Sequence, residues 1–303
     1  MKTLITRAFK VTQQEKSLLD SLGLDITFWS DEHAEVPDPE QYEAVISYEL
    51  FKYNDIARFT ALKYMQVTSA GLDHLPMAEI RRRGIVLNNA RGVYSVPMAE
   101  FALCGVLQLY KQSRRFAANQ QAHRWERLRG LQEIAGKQVL IVGVGSIGCE
   151  VAKRFAAFDA VVSGVDVVPI SSPYFHSVLP AARLDEMLPQ ADIVVITLPL
   201  MASTRHMFDA ARLARFREDA LLVNLARGAI VDQAALVAAL QAGRLGGAVL
   251  DVFEQEPLPQ DDPLWDMPNV LVTPHNSFLS ESNNSSMFRV VLGNLQKYLQ
   301  ENK

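Results

Sequence analysis

Three segments of the chain run from an apolar stretch into residues that could move a proton and hold a carboxylate. They are Leu222-Val223-Asn224-Leu225-Ala226-Arg227-Gly228, Val249-Leu250-Asp251-Val252-Phe253-Glu254-Gln255-Glu256-Pro257 and Val272-Thr273-Pro274-His275. A planar guanidinium holds a carboxylate through two parallel hydrogen bonds and polarises a neighbouring carbonyl. An imidazolium can give a proton, near neutral pH, to an oxygen that is gaining charge. A carboxylate beside the imidazole stabilises its protonated form. Arg227, His275 and Glu256 suit these roles in the interconversion of a 2-oxo acid and a 2-hydroxy acid. They are 29 and 19 residues apart in sequence, so only a fold can assemble them. If each segment ends a strand of one open parallel sheet, all three face the edge where such sheets bind ligands.

A hydride source has its own signature. Val139-Leu140-Ile141-Val142-Gly143-Val144-Gly145-Ser146-Ile147-Gly148 places a G-x-G-x-x-G motif directly after an apolar strand and at the start of a helix expected over Ile147 to Phe158. That context marks a dinucleotide site. Gly143 permits the tight turn, Gly145 lets the backbone approach a pyrophosphate, and Gly148 lets helix and strand pack closely. The phosphates then lie over free N–H groups at the positive end of the helix dipole. Eighteen residues after Gly148, Asp166 closes the next apolar run. A carboxylate there accepts hydrogen bonds from the ribose hydroxyls of NAD and repels a 2′-phosphate. Val167 and Val168 supply no cation for such a phosphate. NAD(H) is therefore the expected cofactor, with NADP(H) disfavoured.

The elements that must position these groups fall into two series. Lys2 to Thr6, Asp25 to Trp29, Glu43 to Ser47, Lys63 to Val67 and Ile85 to Leu87 read as short strands with helices between them, such as Thr12 to Leu22. One long apolar-periodic helix is expected from Pro97 to Asn119, with Pro97 in its first turn. A turn-rich connector, His123 to Gly136, leads to strands at Gln138 to Val142, Ala160 to Val165, Ile193 to Thr197, Ala220 to Asn224, Gly246 to Leu250 and Val270 to Thr273. Their nearly continuous apolar character suits strands covered on both faces. A last helix, Ser280 to Leu299, cannot bury its stripe alone and is expected to return to the first series. The expected fold class is α/β: two Rossmann-like or flavodoxin-like domains with parallel sheets, the smaller one discontinuous and completed by the C-terminal helix. The boundaries are 1–95 plus 280–303 for the smaller, substrate-binding domain and 96–279 for the NAD-binding domain.

Composition narrows the partners. Thirty basic residues against 34 acidic ones leave a net charge of −4, which does not favour nucleic acid. No apolar run approaches the ~18 residues of a membrane span, and the N-terminal residues read as a strand, not as a secretory signal. The run Arg81-Arg82-Arg83 reads as a solvated helix end. Cys104 and Cys149, expected in buried helices, have neither metal nor disulfide spacing, which points to a reducing cytoplasm. No pair among His33, His74, His123, His176 and His206 has metal-ligand spacing, and no metal is expected. Those histidines read as surface or core residues without company. Trp125 reads either as a core residue or as a contact at a subunit or domain junction.

With these motifs together, the chain resembles the D-isomer-specific 2-hydroxyacid dehydrogenases over nearly its whole length, and within them the glyoxylate and hydroxypyruvate reductase branch. The resemblance implies catalytic roles for Arg227, Glu256 and His275 and places Asp251 near the nicotinamide carboxamide. Ser146, Ile147, Leu198, Pro199 and Ala226 complete the expected cofactor-binding set. It also implies that the substrate carboxylate meets backbone amides of a loop in the smaller domain, here Thr68-Ser69-Ala70-Gly71-Leu72-Asp73, with Ala70 and Gly71 at its centre. Arg91 and Tyr94, in Asn88-Asn89-Ala90-Arg91-Gly92-Val93-Tyr94-Ser95, are expected to shape the substrate pocket. After His275 the family usually continues with small residues, whereas this chain has Asn276-Ser277-Phe278-Leu279. Substrate and nicotinamide are expected to meet between the two domains, and reduction is expected to fade at alkaline pH as the imidazolium deprotonates. A homodimer formed through residues 97 to 135 is also implied. The alternatives are a non-catalytic NAD(H)-sensing protein on the same fold and a related dehydrogenase acting on amino acids.

Overall fold

The structure is a computed structural model that describes residues 1–168 and 170–302; the last residue of the expected segment 280–303 lies outside it. The chain forms two compact units, Met1–Tyr94 with Ser280–Lys303, and Ser95–Leu279.

The first unit holds five strands: β1 (Lys2–Thr6), β2 (Asp25–Trp29), β3 (Ala44–Ser47), β4 (Tyr64–Val67) and β5 (Val86–Asn88). All pair in parallel, in the order β2-β1-β3-β4-β5. The order reverses between β1 and β3, which opens a crevice beyond the strand ends there. At that reversal the Glu32 carboxylate accepts the Thr6 hydroxyl and the N–H groups of Tyr48 and Glu49, joining the ends of β1 and β3. The last helix runs over Asn283–Glu301 and buries Met287, Phe288, Val291, Leu295 and Tyr298. This stripe packs with Ile5, Ile46 and Tyr64 of the sheet, and Tyr298 meets the Tyr64 ring at 4.6 Å. Each such buried side chain contributes roughly 1.5–3 kcal/mol, which explains why a helix after the second series returns to the first sheet. Arg83 does more than end a helix in solvent. Its guanidinium donates to the carbonyls of Ile56 (2.9 Å) and Phe59 (2.6 Å).

The second unit holds β6 (Gln138–Val142), β7 (Val161–Asp166), β8 (Ser177–Pro180), β9 (Ile193–Ile196), β10 (Leu221–Asn224), β11 (Gly247–Leu250) and β12 (Val270–Val272). They form one parallel sheet, β12-β11-β10-β9-β6-β7-β8. Because all seven run in one direction, the residues following β6, β9, β10, β11 and β12 emerge at one edge. The expected strands appear within about a residue of their ends, but β8 is an addition. Four residues long and only half-buried, it lies at the sheet's margin and carries a proline, so it has little of the apolar signal of a central strand.

The single helix expected over 97–119 is two helices, Ser95–Tyr110 and Ser113–Gln121. Gln112 breaks it with a left-handed backbone, φ 50°, where the apolar stripe stops and Ser-Arg-Arg begins. The first of these helices packs on the helix Ser146–Ala156, and Gly105 approaches β11 so closely that a Cβ there would stand 2.5 Å from Val249. Two side-chain expectations fail. Cys104 is exposed on this helix, while Cys149 is half-buried. Trp125 is 99% exposed, so it is not a core residue. No described helix is long and apolar enough to cross a membrane.

Candidate active site

The glycine turn after β6 is built as a phosphate cradle. Gly143 has φ +102°, a left-handed conformation that favours glycine. Its carbonyl accepts the Thr197 hydroxyl at 2.5 Å, a contact that the sequence reading missed. Leu198 packs beside it, 3.1 Å from where a Cβ would stand, whereas a Cβ on Gly145 would meet nothing within 4 Å. Gly148 is held 2.2 Å, on the same measure, from the Gly143 carbonyl, so helix and turn interlock. Gly145 caps the helix Ser146–Ala156 without a side-chain hydrogen bond. Among the described residues, the amides of Gly145, Ser146 and Ile147 donate to nothing, as a bound pyrophosphate requires. The open space over Gly145 and those amides fit a dinucleotide. Asp166, half-buried at the end of β7, accepts the Val144 N–H at 2.6 Å and the Val168 N–H at 3.3 Å. Pro199 follows Leu198 at the same edge and is exposed.

Arg227, Glu256 and His275 come together beyond β10, β11 and β12. The Asn224 side chain fixes the turn after β10 by accepting from Ala226 N–H (3.1 Å) and donating to Arg227 O (3.0 Å). Gly228 then abuts the backbone of Phe253, where a Cβ would stand 1.9 Å from the carbonyl carbon. That contact brings the loop of Arg227 against the loop of Glu256. The Arg227 guanidinium donates to the buried Ala226 carbonyl (2.8 Å), and its charge acts on Glu256. Glu256 accepts the Phe253 N–H with one oxygen (3.0 Å) and faces His275 Nδ1 with the other (2.7 Å). An ionised Glu256 makes Nδ1–H the donor, so Nε2, which has no partner among the described residues, remains to carry a transferable proton.

A family model for the D-isomer-specific 2-hydroxyacid dehydrogenases, NAD-binding domain, matches residues 103–277, more than half of the chain and the whole of this edge. The chain belongs to that family. It is 36% identical over 223 residues to a glyoxylate reductase of Thermofilum pendens, a match covering 71% of this chain and 65% of that one, just under two thirds of the relative's length. It is 34% identical over 247 residues to an (S)-sulfolactate dehydrogenase of Chromohalobacter salexigens, covering 80% of each. Among solved structures, a D-isomer-specific 2-hydroxyacid dehydrogenase of Xanthobacter autotrophicus, in complex with NADPH and MES, superposes with a TM-score of 0.81 at 30% identity, covering 100% of this chain and 95% of that one.

Asp251, expected near the nicotinamide carboxamide, lies beneath the turn that carries His275. It is fully buried, and its carboxylate accepts the Thr273 hydroxyl (2.7 Å) and the N–H groups of Asn276 (2.8 Å) and Ser277 (2.9 Å). Its carbonyl accepts the His275 N–H at 2.8 Å. His275 has φ 51°, a left-handed conformation costing a residue with a side chain roughly 1–2 kcal/mol. The four bonds to Asp251 hold the turn in that shape and aim the imidazole. Phe278, in the stretch that departs from the family's small residues, stands edge-on to the His275 ring at 5.8 Å. His206 also has company that the sequence did not reveal, because its Nε2 lies 2.9 Å from Glu254.

The remaining expected residues lie in the first unit. Ala70 and Gly71 follow β4, and their amides donate to nothing among the described residues. The Tyr94 hydroxyl donates to the Thr68 carbonyl at 2.5 Å, and burial pushes its phenol up to about 12. Tyr94 thus fastens the root of that loop. Arg91 is exposed. Among the described residues no group of three or more His, Cys, Asp and Glu side chains could hold a metal ion.

Burial acts to raise the Glu256 carboxyl, but the hydrogen bonds from His275 and the Phe253 N–H, with the Arg227 charge, hold it below the usual carboxylate range. The folded chain therefore binds this proton less readily than the unfolded chain. Stability from the pair is present at neutral pH and lost as pH falls through the depressed folded value. The melting temperature of Glu256→Gln is expected to lie below that of the unsubstituted protein at pH 7, and the gap to close below about pH 4. A gap that is unchanged down to about pH 3 rejects this account of the pair.

Proposed function

We propose that this chain reduces small 2-oxo acids of the glyoxylate and hydroxypyruvate kind to D-2-hydroxy acids with NADH, and runs the reverse oxidation with NAD. The observation that carries the proposal is the 2.7 Å His275–Glu256 pair, with Nε2 unpartnered among the described residues, beside a guanidinium and on the same sheet edge as the glycine cradle. When bound, the nicotinamide supplies the hydride. Arg227 holds the carboxylate and polarises the carbonyl. His275 Nε2 gives its proton to the carbonyl oxygen as that oxygen gains charge. Glu256 keeps the imidazole oriented through its bond to Nδ1. The amides of Ala70 and Gly71, which donate to nothing among the described residues, are a pair of donors suited to a carboxylate. The names of the two relatives, a glyoxylate reductase and a sulfolactate dehydrogenase, support the reaction class.

For the cofactor we propose NAD(H). Asp166 presents a carboxylate at the end of β7, and Val167 and Val168, 81% and 67% exposed, offer no cation to a 2′-phosphate. The Xanthobacter relative carries NADPH, so the two nucleotides belong side by side in the test. Oxidation of NADH and NADPH is followed with glyoxylate, hydroxypyruvate and pyruvate, for the unsubstituted chain and for Asp166→Ala. Turnover with NADH is expected to exceed that with NADPH, and Asp166→Ala to narrow the ratio by about tenfold, the loss of one charge-assisted hydrogen bond and one repulsion. Binding of NADH without consumption of any oxo acid would identify a sensor and end the enzymatic reading. An unchanged nucleotide ratio in Asp166→Ala would remove that residue from the role.

A further inference from the structure

The peptide between Gly143 and Val144 is held at both ends by the strands that flank β6. Val142 and Ile196 are register partners of β6 and β9, so Thr197 is the first residue beyond that pairing and stands beside Gly143. Its N–H donates to Val142 O at 2.9 Å, one more rung of the ladder. The ladder ends there, because Gly143, at φ +102°, turns the chain out of the strand. The Thr197 hydroxyl continues in its place. It lies 3.4 Å from Val142 O and donates to Gly143 O at 2.5 Å. Gly148 approaches the same carbonyl, where an added Cβ would stand 2.2 Å away. At the far end of the peptide, the Val144 N–H donates to Asp166 Oδ2 at 2.6 Å, and Asp166 Oδ1 accepts the Val168 N–H at 3.3 Å.

A peptide unit is rigid and planar, so its carbonyl and its N–H turn together. Anchoring the carbonyl on Thr197 therefore sets the direction of the Val144 N–H, and with it the carboxylate at the end of β7. The two anchors come from opposite sides of β6, across the point where the strand order reverses, the place where such sheets bind dinucleotides. We infer that Thr197 is a positioning residue for the nucleotide: through the Gly143–Val144 peptide it holds the Asp166 carboxylate where the ribose hydroxyls bind. This inference rests on the cofactor reading proposed above, in which Asp166 meets the ribose, and adds to it a residue that acts through the backbone. Valine at 197 keeps the shape and loses the donor. Gly143 O then lacks its partner, the peptide is free to rotate, and the Val144 N–H no longer aims at Asp166.

The test titrates NADH by its fluorescence, with no oxo acid present, into the unsubstituted chain, Thr197→Val, Thr197→Ser, Asp166→Ala and the double variant Thr197→Val/Asp166→Ala. The melting temperature of each is recorded alongside. Thr197→Val is expected to raise Kd about 5- to 10-fold, the effect of one lost hydrogen bond. Thr197→Ser keeps the hydroxyl and is expected to stay within about twofold of the unsubstituted chain. In the Asp166→Ala background the same Thr197→Val change is expected to raise Kd by less than about twofold, since residues that act through one hydrogen-bond network are not additive. An equal factor in both backgrounds overturns the inference and puts the effect of Thr197 on the phosphate cradle alone. A lower melting temperature with Kd unmoved also overturns it, leaving Thr197 a structural role, as does Thr197→Ser binding as weakly as Thr197→Val. If the unsubstituted chain binds no NADH, or Asp166→Ala binds it equally well, the cofactor reading fails and takes the inference with it. That failure is distinct, because it shows without any substitution at Thr197.

Discussion

Replacing His275 with alanine is expected to lower kcat for oxo-acid reduction by about 10²–10⁴-fold, the usual contribution of a positioned general acid. NADH binding, followed by its fluorescence, should stay within about twofold, because removing a proton donor costs the transition state and not the bound cofactor. The free-energy source is local. Nδ1 is tied to Glu256 at 2.7 Å, the Glu256 second oxygen is tied to Phe253 N–H, and the backbone of His275 is tied to Asp251. The ring is thus fixed in place before substrate arrives, and Nε2 alone is left for chemistry. The cradle for the dinucleotide belongs to the turn at Gly143–Gly148, whose shape depends on Thr197 and Gly148 and not on His275. Retention of more than a tenth of kcat in His275→Ala would remove the proton-donor role, and loss of NADH binding with kcat would show that the ring serves the cofactor instead.

Gly228→Ala is expected to be the most damaging single-methyl change in the site. An added Cβ would stand 1.9 Å from the Phe253 carbonyl carbon, 2.0 Å from its oxygen and 2.5 Å from Glu254 N. These atoms are backbone, so no side-chain rotation can relieve the clash. Phe253 is itself buried in the core beside Ile230 and Leu250. The loops of Arg227 and Glu256 must separate, at a cost of at least about 1–3 kcal/mol of stability. Separation also moves the guanidinium away from the imidazole–carboxylate pair, and a displacement near 1 Å can cost on the order of 10²-fold in rate. The expected result is a melting temperature lower by several degrees and kcat/KM down by about 10²-fold or more. Gly293→Ala serves as the comparison. Gly293 lies in the last helix with open space around its Cβ position, and alanine there is expected to be neutral or to stabilise by up to about 1 kcal/mol. A Gly228→Ala protein with unchanged melting and kcat/KM would show that the two loops are not held together through this contact.

Much of the fold could be read directly from the chain, because the physics that makes a strand, a helix start or a phosphate turn acts between near neighbours. Short apolar runs gave β1 and β6 their observed bounds. G-x-G-x-x-G specified a turn that only glycine fits, and Arg227, Glu256 and His275 were legible because each follows an apolar strand within a few residues. The features that were not legible depend on partners far along the chain. Nothing in Asp251 says that its carboxylate will be sealed under residues 273 to 277, nor in Gly228 that Phe253 will lie against it. Asn224 and Thr197 look like ordinary strand ends until their side chains are seen closing turns. The break at Gln112, the edge strand β8 and the exposure of Trp125 likewise carry weak or contrary local patterns, and packing decided them. Residue order thus determined which chemical groups the protein owns and the secondary structure that carries them. Tertiary structure alone decided which backbone atoms brace those groups, since close packing and buried hydrogen bonds are set by distance in space and not along the chain.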